Sequence, residues 1–293
     1  MGGLGEIGDL TEELADSWQE LAPDAGGQKA VIANVAEVAV WNMRDNTKAN
    51  LKSVGFHEEA QVGCLETKIK YEERYGVEKP IGMHAKLNYG GSVVPLFLNK
   101  TIGEGGLYSA MFAAAVAQKF EINLVEVAEC LRTLEPTPGR MSLLEGIKHT
   151  VLIDDSYNSS PKACQHALEA LSRVNIPEGA ERFAILGDMK ELGKMTSEAH
   201  EEIGRMVAHE GINWLITVGE EARALGNAAR IAGLPENRLF HFNTNAEAGR
   251  FVQEKLEEHD VVLVKASRAM HFEEIVKELM AEPLKAKELL VSD

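Results

Sequence analysis

The sequence predicts an α/β protein whose C-terminal part is a Rossmann-like, doubly wound parallel sheet. After residue 149, five short apolar runs alternate with five amphipathic stretches, which is the pattern of parallel strands joined by crossover helices. An earlier region has a two-residue period on either side of Gly90-Gly91, which is typical of a β-hairpin. Pro136, Pro138 and Gly139 separate these regions, so we expect domains at 1–139 and 140–293.

The first domain is predicted to be α/β with an antiparallel patch. Residues 29–41 begin as a buried strand, and residues 60–99 contain the hairpin. Residues 106–119 are almost entirely small and apolar, which predicts a buried helix, and Asn123 with Glu126 predicts the capped start of a second helix. Leu10 to Leu21 has the apolar stripe of an amphipathic helix.

The second domain is predicted to place several polar strand ends at one edge of its sheet. Its expected strands are 150–154, 182–186, 213–218, 238–242 and 260–265, and its expected helices are 161–173, 197–210, 220–231, 245–257 and 271–281. Parallel strands joined by right-handed crossovers share one carboxyl edge. Asp154-Asp155, Gly187-Asp188, Gly219-Glu220 and Ser267-Arg268 should therefore lie together.

The composition excludes several classes of protein. A formal net charge of −16 and the absence of long basic runs argue against a nucleic-acid-binding surface. We find neither a signal peptide nor eighteen consecutive apolar residues, so we expect a cytoplasmic protein with no membrane partner. Cys64, Cys130 and Cys164 lack metal-ligand spacing and are expected to be buried thiols.

Two strand ends carry candidate chemistry. Asp155, Tyr157 and Asn158 offer a carboxylate, an aromatic ring and an amide that suit a nucleotide or a metal-bound phosphate; alternatively, they cap a turn and pack. Lys265, Ser267 and Arg268 precede a helix and suit a phosphate or carboxylate. Their alternative is a set of salt bridges to Glu273 or Glu274.

Three other features are interpreted as non-functional. Gly3, Gly5 and Gly8 form a GxGxxG pattern without a preceding strand, so they do not predict dinucleotide binding. Residues 187–196 do not match a Walker A loop, because five residues separate Gly187 from Gly193 and Met195 stands where a Ser or Thr should follow the lysine. His200 is expected to be solvated on its helix, and no metal site is predicted.

Four motifs together resemble the ATP-dependent Mur ligases. They are GRMSLLEG at 139–146, IDDSYNSSP at 153–161, ILGDMKELG at 185–193 followed by His200, and VKASRAMHFEEIV at 264–276. The resemblance is greatest to the branch that joins D-alanyl-D-alanine to a UDP-muramoyl-tripeptide through an acyl phosphate. It implies ATP and Mg²⁺ as cofactors, Arg140, Asp155, Tyr157 and Asn158 facing the nucleotide, and Lys265, Ser267 and Arg268 holding the incoming carboxylate.

The first domain resembles the closing part of that family's central ATPase domain, with departures. The sequence has no GKT-type phosphate loop and no counterpart of the UDP-binding domain, Gly105 and Gly106 occupy the family's His-Asn region, and Ala266 replaces a glycine. The catalytic residues thus stay unassigned. One hypothesis is a shortened ligase, with a possible upstream chain supplying the loop; the other is a non-catalytic remnant or binding module. We discount an NAD-dependent enzyme, which would rest on fold analogy.

Overall fold

A computed structural model describes residues 30–36, 41–46, 49–74 and 76–292. Within these ranges the fold is α/β, and it confirms the predicted doubly wound C-terminal sheet and the hairpin before it. The predicted helix at Leu10 to Leu21 and the glycines at 3, 5 and 8 lie outside the described residues.

The chain packs as two compact units. Among the described residues, the first unit holds those up to Lys68, Met83–Asn99 and Gly105–Leu134. The second unit holds Ile69–Gly82, Lys100–Glu104 and the chain from Glu135 onward. The second unit thus includes two segments that precede the boundary expected at 139.

The first sheet has the strand order β1-β2-β3-β4-β5. Its strands are β1 (Ala30–Asn34), β2 (Asn50–Val54), β3 (Val62–Arg74), β4 (Val77–Tyr89) and β5 (Ser92–Asn99). The strands β1 and β2 are parallel. Gly90 and Gly91 connect β4 to β5 with φ angles of 57° and 82°, the left-handed backbone that a two-residue hairpin turn requires.

Of the helices predicted for the first domain, the two that fall within the described residues are present. Helix α1 (Glu104–Lys119) buries an alanine-rich face that includes Leu107 and Met111. Helix α2 (Leu124–Thr133) begins where the Asn123 side chain accepts a hydrogen bond of 2.8 Å from the Val125 amide. This contact satisfies one of the amides that a helix start leaves without a partner.

The second sheet has the order β10-β9-β8-β11-β7-β6. Its strands are β6 (Ser142–Glu145), β7 (Val151–Asp155), β8 (Arg182–Gly187), β9 (Trp214–Val218), β10 (Leu239–Phe242) and β11 (Val261–Lys265). All neighbouring pairs are parallel except β6 and β7. The five predicted strands are confirmed, and the short antiparallel β6 is an addition that the sequence analysis missed.

Each helix predicted for the second domain is also confirmed, with ends that move by two residues or fewer. The helices are α3 (Pro161–Ser172), α4 (Thr196–His209), α5 (Ala222–Ile231), α6 (Asn245–Lys255) and α7 (Glu273–Leu279), followed by the short α8 (Ala286–Leu289). Among the described helices, none has the length and apolar character needed to cross a membrane.

The second sheet is covered by helices on both faces. Ile216 and Val218 of β9 belong to the apolar cluster that contains α6 and α7, whereas Thr217 between them faces Gly226 of α5. Neighbouring side chains of a strand point to opposite faces, so α5 and the α6–α7 pair lie on opposite sides. Helices α3, α4 and α5 pack in succession.

The order of the strands in the sheet reverses at β11. This strand lies between β7 and β8, although it follows both in the chain. The connections after β7 and β8 run to α3 and α4, whereas the connection after β11 runs to α7 on the other face. In doubly wound sheets a crevice opens at such a point beside the carboxyl ends of the strands, and ligands bind there.

Candidate functional site

A buried ion pair links the ends of β7 and β11. The two strands are in register, with Lys265 opposite Asp155. The Lys265 Nζ lies 2.6 Å from Asp155 Oδ2 and 2.8 Å from the carbonyl oxygen of Asn158, and only 1% of the lysine side chain is exposed. Lys265 therefore fastens the loop after β7 to the end of β11.

The two aspartates of β7 hold the turn that precedes β6. The Asp154 Oδ2 accepts a 3.2 Å hydrogen bond from the Gly139 amide, and Asp155 Oδ1 accepts one of 3.1 Å from the Met141 amide. The Tyr157 amide in turn donates to the Gly139 carbonyl over 3.1 Å. Gly139 has a φ of 70°, and a Cβ there would stand 2.9 Å from the Tyr157 nitrogen, so this turn requires glycine.

Asp154 is fully buried at the foot of this turn. Burial raises its pKa to about 6, against the opposing effect of the amides of Ser156 and Gly139, which donate to the carboxylate.

Arg140 and Tyr157 form a surface pair beside the turn. The Arg140 guanidinium carbon lies 4.1 Å from the centre of the Tyr157 ring, and 40% of the tyrosine is exposed. A guanidinium stacked on an aromatic ring keeps its edge donors available for an anion. The pair therefore fits a phosphate group. The Asn158 side chain accepts a 2.8 Å hydrogen bond from the Ser159 amide.

Ser267 and Arg268 lie on the other side of the ion pair. The Ser267 side chain is buried, and its Oγ accepts a 2.8 Å hydrogen bond from the Lys190 amide. The Arg268 Nη1 lies 3.0 Å from Glu273 Oε1, so Arg268 makes the salt bridge of the expected alternative, whereas Lys265 pairs with Asp155 and not with the next helix.

The predicted sharing of one edge by four strand ends is confirmed. The Ser267 amide donates to the Asp188 carbonyl, the Asp188 Oδ1 accepts from the Ala222 amide, and Gly219 packs against the Asp188 carboxylate. The Lys265 contact with Asp155 completes the edge.

The expectation of a solvated His200 is wrong. The side chain is fully buried, its Nε2 accepts a 3.0 Å hydrogen bond from the Met189 amide, and its Nδ1 lies 2.7 Å from the Thr196 carbonyl oxygen. The spacing along α4 could have predicted this burial. His200 is three residues before the buried Ile203 and seven before the buried Val207, so the three side chains share one face of the helix.

Two groups of side chains along this edge have the ligand types of a metal site. Ligand atoms of Asp188, His200 and Glu221 lie within 4.8 Å of one another. However, both nitrogens of His200 are engaged, and the Lys190 Nζ lies 2.8 Å from Asp188 Oδ2 and 3.4 Å from Glu221 Oε1. The lysine ammonium is thus the cation at this position.

The acids of β7 do not fit a magnesium site either. Both oxygens of Asp154 accept backbone amides, and both oxygens of Asp155 have donors, one of them the Lys265 ammonium. Mg²⁺ requires carboxylate oxygens that are open to it. Asp154 and Asp155 therefore offer no open carboxylate oxygen to Mg²⁺.

The cysteines offer no nucleophile to this edge. Cys64 and Cys164 are buried, and burial raises the pKa of each thiol to about 12. Cys130 is exposed, so the expectation of three buried thiols was wrong for this residue, which lies on the solvent face of α2.

The sequence of this chain is similar to those of known proteins. Residues 139–268 match the family model described as "Mur ligase, glutamate ligase domain". The UDP-N-acetylmuramoyl-tripeptide–D-alanyl-D-alanine ligase of Bacillus subtilis is 30% identical over 189 residues, which cover 64% of this chain and 40% of that protein. The Mycobacterium leprae ligase of the same name is 26% identical over 285 residues, which cover 91% of this chain and 54% of that protein.

Solved structures show the same fold. A MurF structure from Acinetobacter baumannii superposes with a TM-score of 0.68 at 23% identity, covering 85% of this chain and 51% of that one. MurF from Thermotoga maritima, solved in complex with ADP, gives a TM-score of 0.68 at 20% identity, covering 89% of this chain and 54% of that one. The chain thus spans about half the length of these relatives or less. The family match shows that residues 139–268 are similar to a Mur ligase domain, and three of the four co-linear motifs lie wholly within these residues.

Proposed function

We propose that this chain carries the nucleotide-facing and amine-substrate-facing edge of an ATP-dependent amide ligase of the MurF type. In this reaction the γ-phosphoryl group of ATP passes to a substrate carboxylate, which yields ADP and an acyl phosphate. The amine of D-alanyl-D-alanine then attacks the acyl carbon of the UDP-muramoyl-tripeptide, phosphate leaves, and an amide bond forms.

One observation carries the proposal. The loop after β7 and the loop after β11 lie beside the reversal of strand order, and the Lys265–Asp155 pair joins them. An anion-binding pair, Arg140 and Tyr157, lies on one side of this link, and Ser267 and Arg268 lie on the other. A nucleotide and the carboxylate of the amine substrate can therefore bind next to each other, which would hold the attacking amine close to the place where the acyl phosphate forms.

The nucleotide side consists of Arg140, Asp155, Tyr157 and Asn158. The Arg140 guanidinium, held over the Tyr157 ring, would bind a phosphate oxygen. Asp155 would act indirectly, because its oxygens already hold the Met141 amide and the Lys265 ammonium. The ADP complex of the Thermotoga maritima relative supports a nucleotide as the ligand class.

The substrate side consists of Ser267 and Arg268, with Lys265 behind them. Arg268 would exchange its contact with Glu273 for the carboxylate of the incoming dipeptide, since a guanidinium binds a carboxylate through two parallel hydrogen bonds. Lys265 would have to leave Asp155 to bind substrate directly. We therefore give it the role of holding the two loops together.

The reaction also needs a phosphate loop, which this sequence lacks. No GKT-type phosphate loop occurs in these 293 residues, and such a loop, with Mg²⁺, stabilises the phosphoryl group in transfer reactions of this kind. We propose that an upstream segment or separate chain supplies it, and that the reaction takes place in the cytoplasm.

A second candidate is a binding module of the same fold without ligase activity. It is favoured because the cations of Lys265 and Arg268 both have carboxylate partners within the chain. The charges of both cations are thus balanced within the chain without a bound substrate.

Calorimetry and a phosphate-release assay separate the two candidates. The purified chain is titrated with ADP and, separately, with D-alanyl-D-alanine, and phosphate release is measured with ATP, Mg²⁺, the muramoyl-tripeptide and the dipeptide. Phosphate release that requires all substrates, from the chain alone or after addition of a Mur ligase fragment that carries the phosphate loop, supports the ligase. Binding of both ligands without release in either mixture supports the module. If neither ligand binds at millimolar concentration, the assignment of this edge is wrong.

Two variants assign the sides of the edge. We expect Arg140→Ala to weaken ADP binding about tenfold and to leave dipeptide binding unchanged. We expect Arg268→Ala to weaken dipeptide binding about tenfold and to leave ADP binding unchanged. Arg205→Ala on α4, which removes an exposed ion pair with Glu201, is the matched control and should change neither affinity. Equal loss of both ligands in either variant would contradict the division.

A further inference from the structure

The orientation of Ser267 is set by the loop that follows β8. The Ser267 amide donates a 3.1 Å hydrogen bond to the Asp188 carbonyl, and the Ser267 Oγ accepts one of 2.8 Å from the Lys190 amide. Because the hydroxyl oxygen accepts from Lys190, its own hydrogen is directed away from that amide, and it is donated to the Ser159 carbonyl over 3.5 Å. The loop therefore fixes both the backbone and the hydroxyl of Ser267.

His200 in turn fixes this loop. It lies on α4, and its Nε2 contacts the Met189 amide, the residue between the two that hold Ser267. A backbone amide only donates, so Nε2 must accept and Nδ1 must carry the ring proton, which is donated to the Thr196 carbonyl. The imidazole thus connects the first turn of α4 to the loop through one defined tautomer.

The remaining support of the loop is electrostatic. Asp188 accepts from the Ala222 amide at the start of α5 and pairs with the Lys190 ammonium, which also lies 3.4 Å from Glu221. These contacts hold the side chains at the ends of the loop. The central amide, that of Met189, is bound by His200.

We propose that His200 is a positioning residue for the amine-substrate side. Through the Met189 and Lys190 backbone it holds the Ser267 hydroxyl where its hydrogen can exchange the long contact with the Ser159 carbonyl for a bound carboxylate. The inference rests on the proposed function, because it needs Ser267 to face the incoming dipeptide. His200 itself is fully buried, so it acts through the loop rather than by contact with a ligand.

The test compares two substitutions of the buried ring. His200→Phe keeps a planar ring without an acceptor, and His200→Gln keeps an acceptor near the position of Nε2. His209→Gln, at an exposed position in the last turn of the same helix, is the control. Each full-length variant is titrated with D-alanyl-D-alanine and with ADP, and its urea midpoint is recorded.

We expect His200→Phe to weaken dipeptide binding about tenfold and to leave ADP binding unchanged, because only the Ser267 side depends on the loop. His200→Gln should restore dipeptide affinity to within about threefold of the unmodified chain. If His200 has a purely structural role, His200→Phe should lower the affinities for the dipeptide and for ADP together. Alternatively, the loss of dipeptide affinity should parallel the fall in the urea midpoint, and His200→Gln should not restore it.

The outcomes separate this inference from the proposed function. If Ser267→Ala weakens dipeptide binding and His200→Phe does not, the positioning role is overturned while the proposed function stands. If the unmodified chain does not bind the dipeptide, the proposed function fails first. If His200→Phe does not fold, nitrogen NMR of the unmodified protein at pH 8 decides: a protonated Nδ1 and an accepting Nε2 support the inference, and the other tautomer overturns it.

Discussion

Replacing Lys265 by methionine tests the link between the two loops. The variant keeps the length of the side chain in a position that is 1% exposed, but it removes the ammonium. Two hydrogen bonds are lost, to Asp155 Oδ2 and to the Asn158 carbonyl, and the buried Asp155 carboxylate loses its counter-ion. Breaking a buried pair in this way costs about 3 to 5 kcal/mol of unfolding free energy.

A double-mutant cycle separates the pair from simple packing. Asp155→Asn keeps an acceptor for the Met141 amide but removes the charge. Combined with Lys265→Met, it should destabilise by about 2 kcal/mol less than the sum of the single changes, since no orphaned charge is left. Equilibrium urea unfolding followed by circular dichroism measures each variant.

The control for this cycle is an exposed pair of the same type. Lys285 lies 2.8 Å from Glu282, and both side chains are more than half exposed, so Lys285→Met should leave the urea midpoint unchanged. A cost below about 1 kcal/mol for Lys265→Met, or strict additivity in the cycle, would refute the view that this pair joins the loops.

Two further predictions concern other buried positions. The raised pKa of Asp154 favours its protonated form in the folded protein, so its contribution to stability is present below the unfolded value of 3.8 and is lost as the pH rises through about 6. The unfolding free energy of the unmodified protein, measured relative to Asp154→Asn, should therefore fall by up to about 3 kcal/mol between pH 4 and pH 7; a rise would contradict this. Gly204→Ala should destabilise by about 1 to 3 kcal/mol in urea unfolding, because its Cβ would meet the Leu225 carbonyl of α5. Gly105→Ala in the first turn of α1, with no atom within 4 Å, should not destabilise.

The elements of the second unit were predictable because their signals are local. Strands such as Val261–Lys265 are buried on both faces, so they read as unbroken apolar runs. Helix α3 begins with Ser160 and Pro161, a residue pair that favours a helix start on its own. Strand β6 was missed because four residues are too few to show a period.

The connections within the site were not predictable in the same way. Lys265 looks like an available cation at a strand end, and its burial follows only from the register that sets it opposite Asp155. The contact of Ser267 with the loop after β8 also joins segments far apart in the chain. The order of the strands decides these distances, and no local pattern encodes that order.

The central place of β11 constrains how the sheet can form during synthesis. Strands β7 and β8 are made in succession but do not pair with each other, since β11 must enter between them from the C-terminal end of the chain. Until residues 261–265 have left the ribosome, β7 and β8 each present an unpaired edge, which is a surface prone to wrong association. Completion of the sheet and assembly of the Lys265 contact are therefore a single late event, so an incompletely synthesised chain lacks the native fold of this unit and the site together.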